Sequence, residues 1–194
     1  MPYCCRINTT GVFVNVMATR SARLVSGFSI IELMVTLAVA AILLSIAVPS
    51  FTQLAVNSRL TAQANDVVAA LNLARSEAIK RNTNVSFCRV SSETAVNCAA
   101  ATRAWTNWIV TTGSGGNVLR RGVVNNFSGG VSMQSTLTGD QVTYRPEGLA
   151  YTGGGVVADQ RITVCAPRNA GGRRVTLGKG SRLSTTTLSG ACGA

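Results

Sequence analysis

The chain has 194 residues, with 18 Lys and Arg against 7 Asp and Glu, six Cys and no His. At about 100–200 residues per domain this length holds one globular domain plus an appendage. Without His the commonest general base and zinc ligand are both missing, and seven scattered carboxylates leave little for paired acid–base work or a calcium cage, so composition argues against an enzyme and predicts neither cofactor nor metal.

In chain order, the first 26 residues carry three Arg and no acid. The run Phe28–Val48 then holds 21 residues with one charge, Glu32. As a helix it is about 31 Å long, enough for a hydrocarbon core of about 30 Å. Arg20 and Arg23 precede it, and positive flanks stay cytoplasmic, so the rest of the chain is expected beyond the inner membrane, in the periplasm. The run exceeds the 7–15 apolar residues of a signal peptide, and Pro49-Ser50-Phe51 lacks a small-residue cleavage pattern. A plain anchor would not carry Glu32, whose burial costs about 2.5–3.5 kcal/mol on insertion scales.

The segment Gly27-Phe28-Ser29-Ile30-Ile31-Glu32-Leu33 resembles the leader junction of type IV prepilins and type II secretion pseudopilins. The resemblance implies that a prepilin peptidase cuts after Gly27, leaving Phe28 as an N-methylated first residue and Glu32 as the fifth. A freed amine on Phe28 of one subunit is then the natural partner for Glu32 of its neighbour, which removes two isolated charges from lipid and sets axial register. Residues 1–16 do not look like such a leader, whereas Met17-Ala18-Thr19-Arg20 opens a short basic one. Met17 is therefore expected to be the initiator, and Cys4 and Cys5 to be absent from the mature chain.

Pro49 permits a kink without a stop, because helical periodicity resumes after it. Leu60, Ala64, Val67, Leu71, Ala74 and Ala78 recur every three or four residues, with Arg59, Gln63, Asp66, Arg75 and Lys80 on the other faces. One helix is predicted from Phe28 to about Arg81, its second half (49–81) amphipathic and packed by this stripe. Asn82-Thr83-Asn84 ends it. Arg75 to Cys88 resembles the helix-to-strand junction of GspH/FimT-type minor pilins and pseudopilins, with Glu77 placed to pair with Arg81 at i, i+4.

Residues 82–194 read as a β-rich domain. Strands are predicted at Val85–Val90, Trp105–Thr112, Val118–Val124, Val131–Ser135, Gln141–Tyr144, Arg161–Cys165, Arg174–Leu177 and Arg182–Thr187. Residues 113–117 read as a hairpin loop, and Gly129-Gly130 and Gly153-Gly154-Gly155 as turns. Cys88, Cys98, Cys165 and Cys192 remain after cleavage; an even count in a periplasmic domain argues for disulfides, with three pairings open. Nearest neighbours, Cys88 with Cys98 and Cys165 with Cys192, are the expected pairs. The spacing lacks the C-x₂₋₄-C of a zinc site.

Gly178-Lys179-Gly180-Ser181 fails the phosphate-loop pattern and reads as a surface turn. After Asp159 come six bases (Arg161, Arg168, Arg173, Arg174, Lys179, Arg182) and no acid. The tail resembles the C-terminal hairpin of FimT/FimU-like proteins, in which some relatives carry a G-R-x-R element that binds DNA. Here the aligned Gly180-Ser181-Arg182-Leu183-Ser184 has one Arg where that element has two. Arg168, Arg173, Arg174, Lys179 and Arg182 are candidates for phosphate contacts, but no aromatic residue in the tail is available to stack bases. A solvated basic surface explains the same residues.

The fold class is thus α+β and type IV pilin-like: a long N-terminal helix, transmembrane in its first half, on a C-terminal β-sandwich-like domain. The resemblance implies a minor type IV pilin that helps to initiate or cap a pilus. The alternatives are the H-type minor pseudopilin of a type II secretion system and a membrane-anchored DNA receptor. Implied partners are the prepilin peptidase, other pilins or pseudopilins, the inner membrane and DNA; no small-molecule substrate is implied.

Overall fold

A computed structural model describes residues 27–99, 104–113, 116–124, 131–166, 171–190 and 192. The expected leader with Met17, Cys4 and Cys5, the turn Gly129-Gly130 and Arg168 lie outside the described residues. The chain divides into two compact units, residues 1–45 and 46–194. One helix, α1 (Ile30–Arg81), contributes to both.

In the first unit α1 starts two residues later than predicted, where the Ser29 carbonyl accepts the N–H groups of Glu32 and Leu33. Glu32 sits in its first turn. The described side chains of this unit are exposed all round, including Phe28, Ile31, Leu37 and Leu43. The helix has mean hydropathy 2.5 over its most apolar 18-residue stretch and is long and apolar enough to cross a membrane.

The second unit begins with the remainder of α1 and, among the described residues, continues into ten strands. The sheets are antiparallel. The strands are β1 (Val85–Val90), β2 (Asn107–Thr112), β3 (Val118–Val123), β4 (Ser132–Ser135), β5 (Gln141–Tyr144), β6 (Ala150–Thr152), β7 (Gly155–Val156), β8 (Asp159–Cys165), β9 (Gly172–Gly178) and β10 (Leu183–Leu188). Sheet 1 has the order β3-β2-β1-β5-β6-β7 and sheet 2 the order β10-β9-β8-β4. Leu60, Ala64, Val67, Leu71, Ala74 and Ala78 are all buried, in one core with Phe87, Val110 and Val142 of sheet 1 and Met133, Ile162, Val175 and Leu177 of sheet 2. The small alanines let helix and sheets approach closely, and the stripe lies on one face because its residues recur at the helical repeat.

Four expectations are corrected. Gln63 is buried beside the stripe at 6% exposure, one position from Ala64 and so at the margin of the apolar face. Trp105 precedes β2 and instead forms an isolated bridge with Met133 of β4. The three glycines were expected as one turn, but Gly155 enters β7, and the turn is Gly153-Gly154, both at positive φ. The turn at 178–181 is not wholly superficial: Ser181 is buried at φ 61, and its hydroxyl accepts the Ala150 N–H at 2.7 Å.

Every residue of β1 is buried, on both faces of sheet 1. The segment after β1 accounts for this: Cys88 is bonded to Cys98, and Arg121 of β3 donates to the carbonyls of Glu93 and Ala95 at 2.7 and 2.6 Å. Ala95 and Cys98 thereby cover Cys88, Val90 and Ile109 on the face away from the main core. A second disulfide joins Cys165 at the end of β8 to Cys192 beyond β10.

Candidate assembly surfaces

Three places carry the chemistry on which a function can rest. The first is the start of α1, where Glu32 is the sole charge in residues 27–45. Gly27 and Phe28 are exposed, and a Cβ built on Gly27 meets nothing within 4 Å. The hydroxyls of Thr36 and Ser45 donate to the carbonyls of Leu33 and Ile42 at 2.9 and 2.7 Å, so these polar groups are satisfied within the helix.

The second is the β9–β10 hairpin with the predicted basic residues. Val175 and Leu177 of β9 point into the core, so the alternation of side chains turns Arg174 to the outer face of sheet 2 and Arg173 to the inner. Register places Arg174 opposite Thr186 and Thr163, and Arg161 opposite Thr176. Arg182, by the same alternation, shares the outer face with Arg174. Arg161 is paired with Asp159 at 2.9 Å. Lys179 and Arg182 are exposed at the turn, while Arg173 and Arg174 are half-buried at the far end of β9, about 16–20 Å away along the strand. Arg174, Lys179 and Arg182 are therefore dispersed along the outer side of the hairpin, among hydroxyl-bearing side chains, and do not form one cluster.

The third went unread in the sequence: a groove of about 400 Å³ on the outer face of sheet 1. It is lined by Asn84, Gln141, Thr143, Arg145, Tyr151 and the Gly153-Gly154 turn. Ser86 and Thr143 share a hydrogen bond of 2.8 Å, Gln141 donates to both, and the Arg145 guanidinium stacks on Tyr151 at 3.7 Å. Tyr151 donates to Glu147, which with burial raises its pKa.

Between the sheets lies a buried ion pair that sequence reading also missed. Asp140, at φ 52 in the 3₁₀ turn before β5, accepts from Arg89 Nε at 3.2 Å, Trp105 Nε1 at 3.1 Å and Ser135 Oγ at 2.7 Å. Arg89 belongs to sheet 1 and Ser135 to sheet 2, so the carboxylate pins the two sheets together. On the helix, Glu77 accepts a hydrogen bond from Arg81, which holds its carboxyl below the usual range. Among the described residues no group of three His, Cys, Asp or Glu is placed to hold a metal ion.

A family model described as type II transport protein GspH matches residues 63–181, and one described as prokaryotic N-terminal methylation motif matches residues 23–48. Among solved structures, the chain is similar to the type IV minor pilin FimU of Pseudomonas aeruginosa strain PAO1. One crystal form, P21, matches at 15% identity over 70% of this chain and 97% of that one, with a TM-score of 0.52. The P65 form matches at 15% identity over 69% and 100%, with a TM-score of 0.48. At such identity the P21 likeness speaks for the fold: a long helix on an antiparallel β domain. No curated protein matches the sequence.

Proposed function

Since the chain belongs to the GspH family of type IV pilin-like proteins, we propose that it is a minor type IV pilin, anchored in the inner membrane until it helps to initiate or cap a pilus. The observation that carries this reading is the methylation-motif match at residues 23–48, which covers the apolar start of a helix that runs on into the GspH match. In the proposed life cycle the prepilin peptidase cuts between Gly27 and Phe28, Phe28 is methylated, and residues 82–194 face the periplasm. Glu32 then takes the α-amine of a neighbouring subunit as its partner on assembly.

Intact-mass analysis of the protein from native membranes tests the cleavage: a mass starting at methylated Phe28 is expected. A retained leader in cells with an active peptidase refutes it. Gly27→Arg should block processing and Gly27→Ala should slow it far less, because the peptidase must accept a small side chain there.

The description of the matched family favours a second reading, the H-type minor pseudopilin of a type II secretion system, built on the same plan. Deleting the gene separates the two: loss of sheared pili with normal protein secretion supports the pilus, and the reverse supports the pseudopilus. The outer face of sheet 2 favours a third role, contact with DNA phosphates through Arg174 and Arg182. Nothing in the tail stacks on bases, so binding should ignore sequence and fall with salt at a logarithmic slope of about −0.9 per duplex phosphate contacted. A gel shift of the full chain in detergent should disappear in Arg174→Glu/Arg182→Glu; a shift that persists moves DNA binding elsewhere.

A further inference from the structure

Among the described residues the two antiparallel sheets present four edges, and three of them are closed to further strands by devices that folded proteins use against edge pairing. β3 carries Arg120 and Arg121, its pairing with β2 is irregular at Val110/Thr111, and its guanidinium groups reach Asp66 and the 93–95 backbone. β7 is two residues long. β4 is four residues long, and the Met133 carbonyl accepts the Trp105 N–H at 3.0 Å from the side opposite β8.

β10 has none of these protections. Its six residues, Leu-Ser-Thr-Thr-Thr-Leu, include no charge, Pro or Gly, it pairs with β9 without irregularity, and Ser184 to Thr187 are exposed. The direction of its backbone groups follows from the turn. The Gly178 N–H donates to the Arg182 carbonyl at 2.9 Å, so 178 and 182 form a hydrogen-bonded pair, and such pairs alternate along an antiparallel ladder. Ser184, Thr186 and Leu188 therefore bond to β9, while Leu183, Thr185 and Thr187 aim their N–H and C=O groups at the free edge. Among the described residues no strand covers that edge.

We propose that β10 is a docking edge that accepts an extended, acid-bearing segment of a different subunit as an added strand of sheet 2. Main-chain hydrogen bonds to Leu183, Thr185 and Thr187 supply the pairing. The choice of occupant rests on charge. Arg173 and Arg174 lie on β9 opposite the far end of β10, Lys179 and Arg182 lie at the turn that leads into it, and no acid follows Asp159. Two copies paired edge to edge would set one cationic hairpin against another, whereas an acidic strand meets complementary charge at both ends. The inference rests on the reading of the chain as a subunit that works among neighbours.

The test is amide hydrogen exchange of the full chain in detergent, with two blocked heptapeptides at millimolar concentration. One alternates valine and threonine between terminal glutamates; the other has lysines in their place. The glutamate peptide should slow exchange at Leu183, Thr185 and Thr187 at least about tenfold, and the lysine peptide should not. Thr185→Pro removes one outward N–H without touching a bond to β9, and proline is tolerated at such edge positions. This variant should keep its disulfides and unfolding temperature and lose the protection, while Thr185→Val should keep it. Equal protection by both peptides overturns the acidic partner. No protection by either, binding that survives Thr185→Pro, or protection of the three amides before any peptide is added overturns the docking edge. Cleavage and entry into pili are read in separate experiments, so failure here is distinct from failure of the assembly reading.

Discussion

Replacing Asp140 by Asn isolates what the inter-sheet ion pair contributes. The substitution keeps the shape of the side chain, and Asn adopts positive φ as readily as Asp, so the turn at φ 52 is undisturbed. What changes is charge. The Arg89 and Asp140 side chains are 7% and 1% exposed, so the variant leaves a guanidinium buried without its counter-charge and presents an amide to the Trp105 and Ser135 donors. Breaking a buried pair by removing one partner costs about 3–5 kcal/mol. For a folding unit of about 150 residues that lowers the unfolding temperature by about 6–20 °C, at about 2–4 °C per kcal/mol. Thermal unfolding of the full chain in detergent reads this through tryptophan emission, since Trp105 and Trp108 are both buried. Adding Arg89→Met to Asp140→Asn removes the buried guanidinium as well and should restore much of the loss. A cost below about 1 kcal/mol for Asp140→Asn, or no recovery in the double variant, would refute the pin between the sheets.

Burial pushes the Tyr144 hydroxyl pKa up to about 12, and that hydroxyl has no hydrogen-bond partner among the described residues. Since the folded value lies above the unfolded one, its contribution is present below about pH 10 and is lost as pH rises towards 12; Tyr144→Phe should be neutral or stabilising by about 1 kcal/mol at pH 7 and should flatten that alkaline loss, and unfolding curves with an unchanged alkaline slope would disprove it. Replacing Cys88 and Cys98 by Ser should cost about 2.7 kcal/mol, and replacing Cys165 and Cys192 about 3.5 kcal/mol, from loop closures of 10 and 27 residues. Non-reducing peptide mapping checks the pairing, and free thiols or crossed pairs would overturn it.

The helix stripe was legible because burial on one side of a helix imposes a repeat that six residues from Leu60 to Ala78 record. Gln63 was not, because a polar residue at the margin of a stripe can bury its stem, which hydropathy does not encode. The longer strands were legible from β-branched runs, but β6 and β7 are three and two residues long, and they are fixed by pairing, β6 on β5 and β7 on β6. Arg89 and Asp140 are 51 residues apart, and each alone reads as a surface charge in a chain with few acids. The sign of a charge is local, but its partner is a property of the fold. Likewise, nothing in the 178–181 turn announced that Ser181 would cap the Ala150 N–H. The acid-free tail was legible as composition; its division between two faces of β9 required the register.

The proposed role of Glu32 turns on which groups differ between lipid and filament. Moving the first part of α1 from lipid to neighbouring helices exchanges one apolar surface for another, and lipid tails are as apolar as Leu, so Ile, Leu and Val gain little by the move. Thr36 and Ser45 already bond within their own helix and gain nothing either. Glu32 is the charge left over; a charge at the centre of a membrane helix costs about 2.5–3.5 kcal/mol, which bounds the cost from above for this first-turn carboxylate, and a neighbour's amine relieves it. Glu32→Val should therefore insert into membranes at least as well as the native chain, while its share in sheared filaments, relative to the membrane pool, falls. Glu32→Gln, which can accept a hydrogen bond but holds no charge, should lie between the two. Incorporation of Glu32→Val at the native level would show that apolar packing alone drives assembly and would remove Glu32 from it.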